Sequence, residues 1–190
     1  MGFQVSCRLG RADVVTLCNT VVGFAAGVVA ISDLRLAARI LLVAVIIDAL
    51  DGLIARSTES SNVGPLLDSI TDVISFGMTP SLFVYILLSG ALDATLSDPV
   101  LYMAVVLVSS LYAVFSVLRT AFYTVYIEGS DERPGMANTL GAILLGTAYL
   151  SGVTDPFAIA IGMAVLSVLQ VAPIAYPKPS ARTAFPMGVV

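Results

Sequence analysis

The chain has 190 residues, 58% hydrophobic and only 12% charged, with a mean hydropathy of +0.98. That balance lies far from a soluble domain and predicts an all-α, polytopic membrane protein, a single domain over 1–190 with about six transmembrane helices in a bundle. A net charge of −4 and a pI near 4.5 exclude a general nucleic-acid binder, which needs a basic face.

Residues 1–12 (MGFQVSCRLGRA) are short and mixed, and read as an interfacial lead-in. The first predicted span covers 14–31. Its Gly23 and Gly27 form a G-x3-G face suited to close helix packing, and Asn19 is expected to hydrogen-bond another helix. Cys7 and Cys18 are isolated small apolar residues with no disulfide framework. The second span, 36–54, carries Asp48 and Asp51 near its end. The third starts at a cap on Asn62 or Gly64, has Pro65 in its first turn, and runs to about residue 88 with Asp68 and Asp72 near its start.

After a connector at 90–98, Asp98 caps the fourth span and Pro99 sits in its first turn. The same device recurs at Thr154-Asp155-Pro156. The fourth, fifth and sixth spans are predicted at 100–126, 135–150 and 157–174. Residues 175–190 are basic and proline-rich before turning apolar, and read as a tail or the start of a further helix. With the N-terminus in the cytoplasm, that side receives Arg8, Arg11, Arg56, Arg133, Lys178 and Arg182, against Arg35 and Arg39 outside. The positive-inside rule therefore predicts a multi-pass protein with both termini and all four aspartates on the cytoplasmic side.

Those aspartates are the costly feature. An Asp at mid-membrane costs about 2.5–3.5 kcal/mol, so four amount to roughly 10 kcal/mol or more. Asp48, Asp51, Gly52 and Ala55 fall at i, i+3, i+4 and i+7, one face of a helix, and Asp68 and Asp72 share another. Two antiparallel helices joined by the polar stretch between them would aim all four carboxylates into one space. Four carboxylates without His or Cys make a hard-oxygen site suited to Mg²⁺, Mn²⁺ or Ca²⁺, and two such ions would cancel the four charges. Gly52 and Ala55 keep their face low enough for a bulky ligand to reach the backbone. Arg119, near the end of the fourth span, either snorkels to the interface or binds an acceptor carboxylate or phosphate.

The order Asp48-x2-Asp51-Gly52-x2-Ala55-Arg56, then Gly64-x3-Asp68-x3-Asp72, resembles the signature of the CDP-alcohol phosphatidyltransferases, with one residue fewer between Arg56 and Gly64 than is usual there. Asp68, Ser69, Asp72, Phe76, Gly77 and Pro80, with Leu118-Arg119, are most similar to the phosphatidylserine/archaetidylserine synthase branch. The second Arg of that branch is missing, and Ala12-Asp13 stands where the family often has Pro-Asn.

The resemblance implies metal-dependent transfer of a phosphatidyl or archaetidyl group from a CDP-linked lipid to a small alcohol, most simply L-serine, releasing CMP. It implies Asp48, Asp51, Asp68 and Asp72 as ligands of two Mg²⁺ or Mn²⁺ ions, with Asp72 also the general base. It further implies Gly52, Ala55, Arg56 and Ser61 as contacts of the CDP-lipid, Arg119 as the acceptor contact, and a homodimer. Glycerol 3-phosphate or inositol phosphate as acceptor would call for more cations than Arg56, Arg119 and Arg133. A divalent-cation transporter would spread acids along a path through the membrane, whereas spans four to six carry none.

Overall fold

The computed structural model describes residues 10–57, 61–127 and 135–173. Among these the chain is all helical. Helix α1 (Arg11–Ala30) turns back at 31–33 into α2 (Leu34–Ser57), and the two pack side by side over their length. The Asp33 carboxylate accepts from the Leu36 N–H at 3.0 Å and fixes the start of α2.

A continuous rod follows: α3 (Gly64–Asp72), a π-helical turn (Val73–Met78) and α4 (Thr79–Leu92). Pro65 occupies the first turn of α3, but Val63 stands at the cap position and makes no side-chain cap bond, so neither Asn62 nor Gly64 caps this helix. The wide turn has a local cause. Pro80 has no N–H to give the ladder, and the preceding Thr79 N–H reaches back five residues to the Ile74 carbonyl. The Thr79 hydroxyl donates across to the Gly23 carbonyl at 2.9 Å, tying the turn to α1.

Helix α5 (Pro99–Phe122) begins under Asp98, which accepts from the Leu101 N–H at 3.1 Å, and ends in a second π-helical segment (Tyr123–Ile127). Helix α6 (Asn138–Leu150) starts three residues later than expected. Helix α7 (Pro156–Val171) is capped by Asp155, which accepts from the Ala158 N–H at 2.7 Å. The π turn after Asp72 is the hub of the bundle, touching α1, α2, α5 and α6 as well as its own neighbours. Small residues permit this approach: a Cβ on Gly23 would collide with Ser75, and one on Gly77 with Ser116.

Large apolar side chains face outward, among them Val21, Phe24, Val100 and Ile161, while the interior gathers Ala26, Ala38, Ala44, Ala142 and buried Ser, Thr and Asn. Three stretches, Ala12–Ala30, Gly64–Leu92 and Pro99–Val125, are long and apolar enough to cross a membrane. The expectation of six full spans is met at these three among the described residues and not at the others. Helix α2 carries Arg35, Arg39, Asp48, Asp51 and Arg56. Helices α6 and α7 have 13 and 16 residues, or about 20 and 24 Å at 1.5 Å per residue, short of a hydrocarbon core of about 30 Å. The lead-in is also shorter than expected, because Arg11 and Ala12 already belong to α1. Residues 1–9 of the lead-in and the tail at 175–190 lie outside the described residues.

Candidate active site

The C-terminal half of α2, the whole of α3 and the first turn of α6 meet at one end of the bundle. There Asp48, Asp68 and Asp72 can each present a carboxylate oxygen within 4.8 Å of the others. Helix periodicity explains the convergence. Asp68 and Asp72 lie one turn apart on α3, and Asp48 meets them from the facing side of α2. Asp72 Oδ1 is buried and has no hydrogen-bond partner among the described residues. The Thr139 hydroxyl, in the first turn of α6, faces Asp48.

Asp51 stands beside this trio rather than within it. It is buried and accepts a hydrogen bond from the Thr16 hydroxyl of α1. Asp51, Asp68, Asp13, Thr16, Gly52 and Gly64 line a cleft of about 230 Å³. Asp13 is held in place by the Gly10 N–H, which donates to it at 2.7 Å. Gly64 sits so near that an added Cβ would lie 3.0 Å from Asp13 Oδ1 and 3.6 Å from Ser61 Oγ. Gly52 differs, because a Cβ there would meet nothing within 4 Å among the described residues. The Ser61 hydroxyl is buried without a partner among the described residues.

Arg119, in the last turn of α5, stacks over the Tyr123 ring at 5.4 Å, and its charge reaches Asp72. It lines a second cleft of about 460 Å³ with Phe115, Phe122, Tyr123 and Gln170. Ala55 and Arg56 lie in the last turn of α2, but their side chains are outside the described residues, as is Arg133.

The donor set suits a hard divalent cation. Three carboxylates converge, one buried oxygen is unpartnered, and negative charges this close repel unless a cation lies among them. Sequence reasoning assigned no role to Thr16, Thr139, Asn138 or Gln170 and identified Asp13 only as a departure from the family pattern. The spacing of Asp13 and Thr16, three residues apart on α1, was the available signal for the first cleft. Asn19 departs from expectation in detail: its backbone carbonyl accepts from Ser75 at 3.2 Å, while its buried carboxamide has no partner among the described residues.

Residues 9–172 match the sequence profile of the CDP-alcohol phosphatidyltransferases. The chain is 29% identical over 179 residues to the archaetidylserine synthase of Methanothermobacter thermautotrophicus, a match covering 92% of this chain and 72% of that protein. It is 31% identical over 144 residues to the CDP-diacylglycerol–serine O-phosphatidyltransferase of Helicobacter pylori, covering 70% of this chain and 56% of the relative. With the protein of that name from Mycobacterium tuberculosis the identity is 33% over 126 residues, covering 63% and 40%. The chain thus spans between 40% and 72% of the length of these relatives.

Proposed function

The chain belongs to the CDP-alcohol phosphatidyltransferase family, and from that membership we propose that it transfers a phosphatidyl or archaetidyl group from a CDP-linked lipid to the hydroxyl of L-serine, releasing CMP. The observation that carries this reading is the convergence of Asp48, Asp68 and Asp72 beside a cleft floored by Gly52. Asp48, Asp51, Asp68 and Asp72 would hold two Mg²⁺ or Mn²⁺ ions, whose chemistry when bound is to neutralise the diphosphate and the departing CMP.

The rest falls to the chain's own groups. The Thr16 hydroxyl orients Asp51, and the cleft beside it takes the nucleotide, with Gly52 and Ala55 allowing close approach and Arg56 and Ser61 meeting phosphate oxygens. Arg119 holds the serine carboxylate. Asp72 accepts the proton of the serine hydroxyl as its oxygen bonds to the lipid phosphorus. The bond from that phosphorus to the CMP oxygen then breaks. The enzyme acts in the cell membrane as a homodimer, with the site facing the cytoplasm.

The test is CMP release by purified full-length protein given CDP-lipid, Mg²⁺ or Mn²⁺, and L-serine, glycerol 3-phosphate or inositol phosphate in turn. Release is expected with serine, to be lost on chelation and restored by added metal. Asp72→Asn is expected to slow it by at least about a hundredfold, the usual worth of a general base. Release only with a phosphorylated acceptor would overturn the acceptor assignment. No release with any of them from folded, metal-binding protein would return cation transport to consideration.

A further inference from the structure

Beyond the carboxylates, three buried carboxamides have hydrogen-bonding capacity to spare among the described residues, Asn19 on α1 and, on either side of Tyr112, Gln170 and Asn138. Gln170, in the last turn of α7, is 1% exposed; its amide group faces the Tyr112 hydroxyl, and its Oε1 has no hydrogen-bond partner among the described residues. Asn138, the first residue of α6, is fully buried. Its Nδ2 donates to Thr120 Oγ1 at 3.0 Å and its Oδ1 is left over. Tyr112 of α5 lies between them. Its hydroxyl donates to the Asn138 backbone carbonyl at 3.1 Å and faces Gln170. Having spent its proton there, the hydroxyl can only accept, so it cannot satisfy Gln170 Oε1.

Arg119 lies two turns beyond Tyr112 on α5, its charge reaches both Tyr112 and Asp72, and it shares the larger cleft with Gln170. Arg119 and Gln170 thus line one cleft, Asn138 is joined to Gln170 through Tyr112, and two carbonyl oxygens of this group have no donor among the described residues. Burying such oxygens without donors is unfavourable, so the arrangement suits a ligand that brings N–H donors together with an anionic group. A phosphorylated alcohol could offer hydroxyl donors to the carbonyls, but its doubly charged phosphate calls for more than the one cation, Arg119, that lines this cleft. An α-amino acid brings three ammonium donors and a carboxylate for the guanidinium.

We propose that Gln170 and Asn138 are the specificity-determining contacts for the acceptor's ammonium group, Oε1 and Oδ1 accepting its N–H donors while Arg119 takes the carboxylate. This rests on the serine reading above and extends it to residues that no spacing in the sequence connects.

The experiment is CMP release by full-length wild type and Gln170 variants, with L-serine and with ethanolamine, which has the ammonium but no carboxylate. Gln170→Met keeps the side-chain length and removes the amide. It is expected to raise the serine KM about tenfold or more, while the CDP-lipid KM stays within about twofold. Gln170→Glu keeps oxygens for the ammonium but sets a negative charge beside the serine carboxylate. The ratio of kcat/KM for ethanolamine to that for serine is expected to rise about tenfold or more in this variant.

An unchanged serine KM in Gln170→Met, or equal losses with both acceptors in Gln170→Glu, would overturn the pocket while leaving the serine reading intact. Wild type that uses only phosphorylated acceptors would remove both together. Where Gln170→Met fails to fold, Gln170→Asn, which withdraws the amide by one methylene, carries the same KM test.

Discussion

A side-chain carbon added at Gly52 would meet none of the described residues it is packed among within 4 Å, although the residue lies inside α2 and beside Asp51. Packing therefore gives no reason for glycine here, and a glycine within a helix costs about 0.5–1 kcal/mol relative to alanine. Gly52→Ala is accordingly expected to raise thermal stability slightly while raising the CDP-lipid KM about tenfold, because the methyl group enters the cleft. Thermal unfolding and donor-dependent CMP release measure the two effects separately, and an unchanged donor KM would remove Gly52 from the binding surface. At this scale the sequence was informative up to a limit. The intervals between Asp48 and Asp51 and between Asp68 and Asp72 fix which helix face each pair occupies. Which carboxylates converge depends instead on how α3 seats against α1, which itself packs along α2, and there Thr16 holds Asp51 beside the other three.

Helix starts under Asp98 and Asp155 were legible because an N-cap is local chemistry: a carboxylate, a proline, and a free N–H three residues on. The π turn was not. A single helix across the third span satisfies the apolar pattern equally well, and the extra residue per turn arises where Pro80 interrupts the ladder while α1 and α5 press from either side. That pressure is testable at Gly77, which is buried and whose added Cβ would collide with the Ser116 side chain. Gly77→Ala is expected to destabilise the protein by about 1–3 kcal/mol, the usual cost of overpacking. It should also lower kcat, because the turn it distorts directly follows Asp72. Adding Ser116→Gly removes the colliding hydroxymethyl group and should recover most of the loss in thermal unfolding. If the double variant is no better than the single, the contact between the turn and α5 is not what sets the register.

Orientation is a property of the whole molecule, and the acids and the bases bear on it from different directions. Arg35 and Arg39 sit at the start of α2, while Asp48 and Asp51 lie toward its other end, so the acidic site and this arginine pair belong to opposite faces of the bundle. If α2 crosses the membrane together with the other helices, the count of basic residues, six against two, would put the acidic end in the cytoplasm under the positive-inside rule, which is the orientation proposed above. Two exposed loop positions separate the alternatives: Asn62, just before α3 at the acidic end, and Thr95, between α4 and α5 at the other. In protein lacking Cys7 and Cys18, Asn62→Cys should resist a membrane-impermeant maleimide in intact cells and react once the membrane is opened. Thr95→Cys should react in both. The reverse pattern would put the carboxylates outside, beyond reach of a cytoplasmic donor, and would count against the transferase reading itself, because the same acidic face cannot then meet its substrate. Reaction of both positions in intact cells would mean that the rod from α3 to α4 does not cross the membrane, and that its apolar exterior faces other protein instead of lipid.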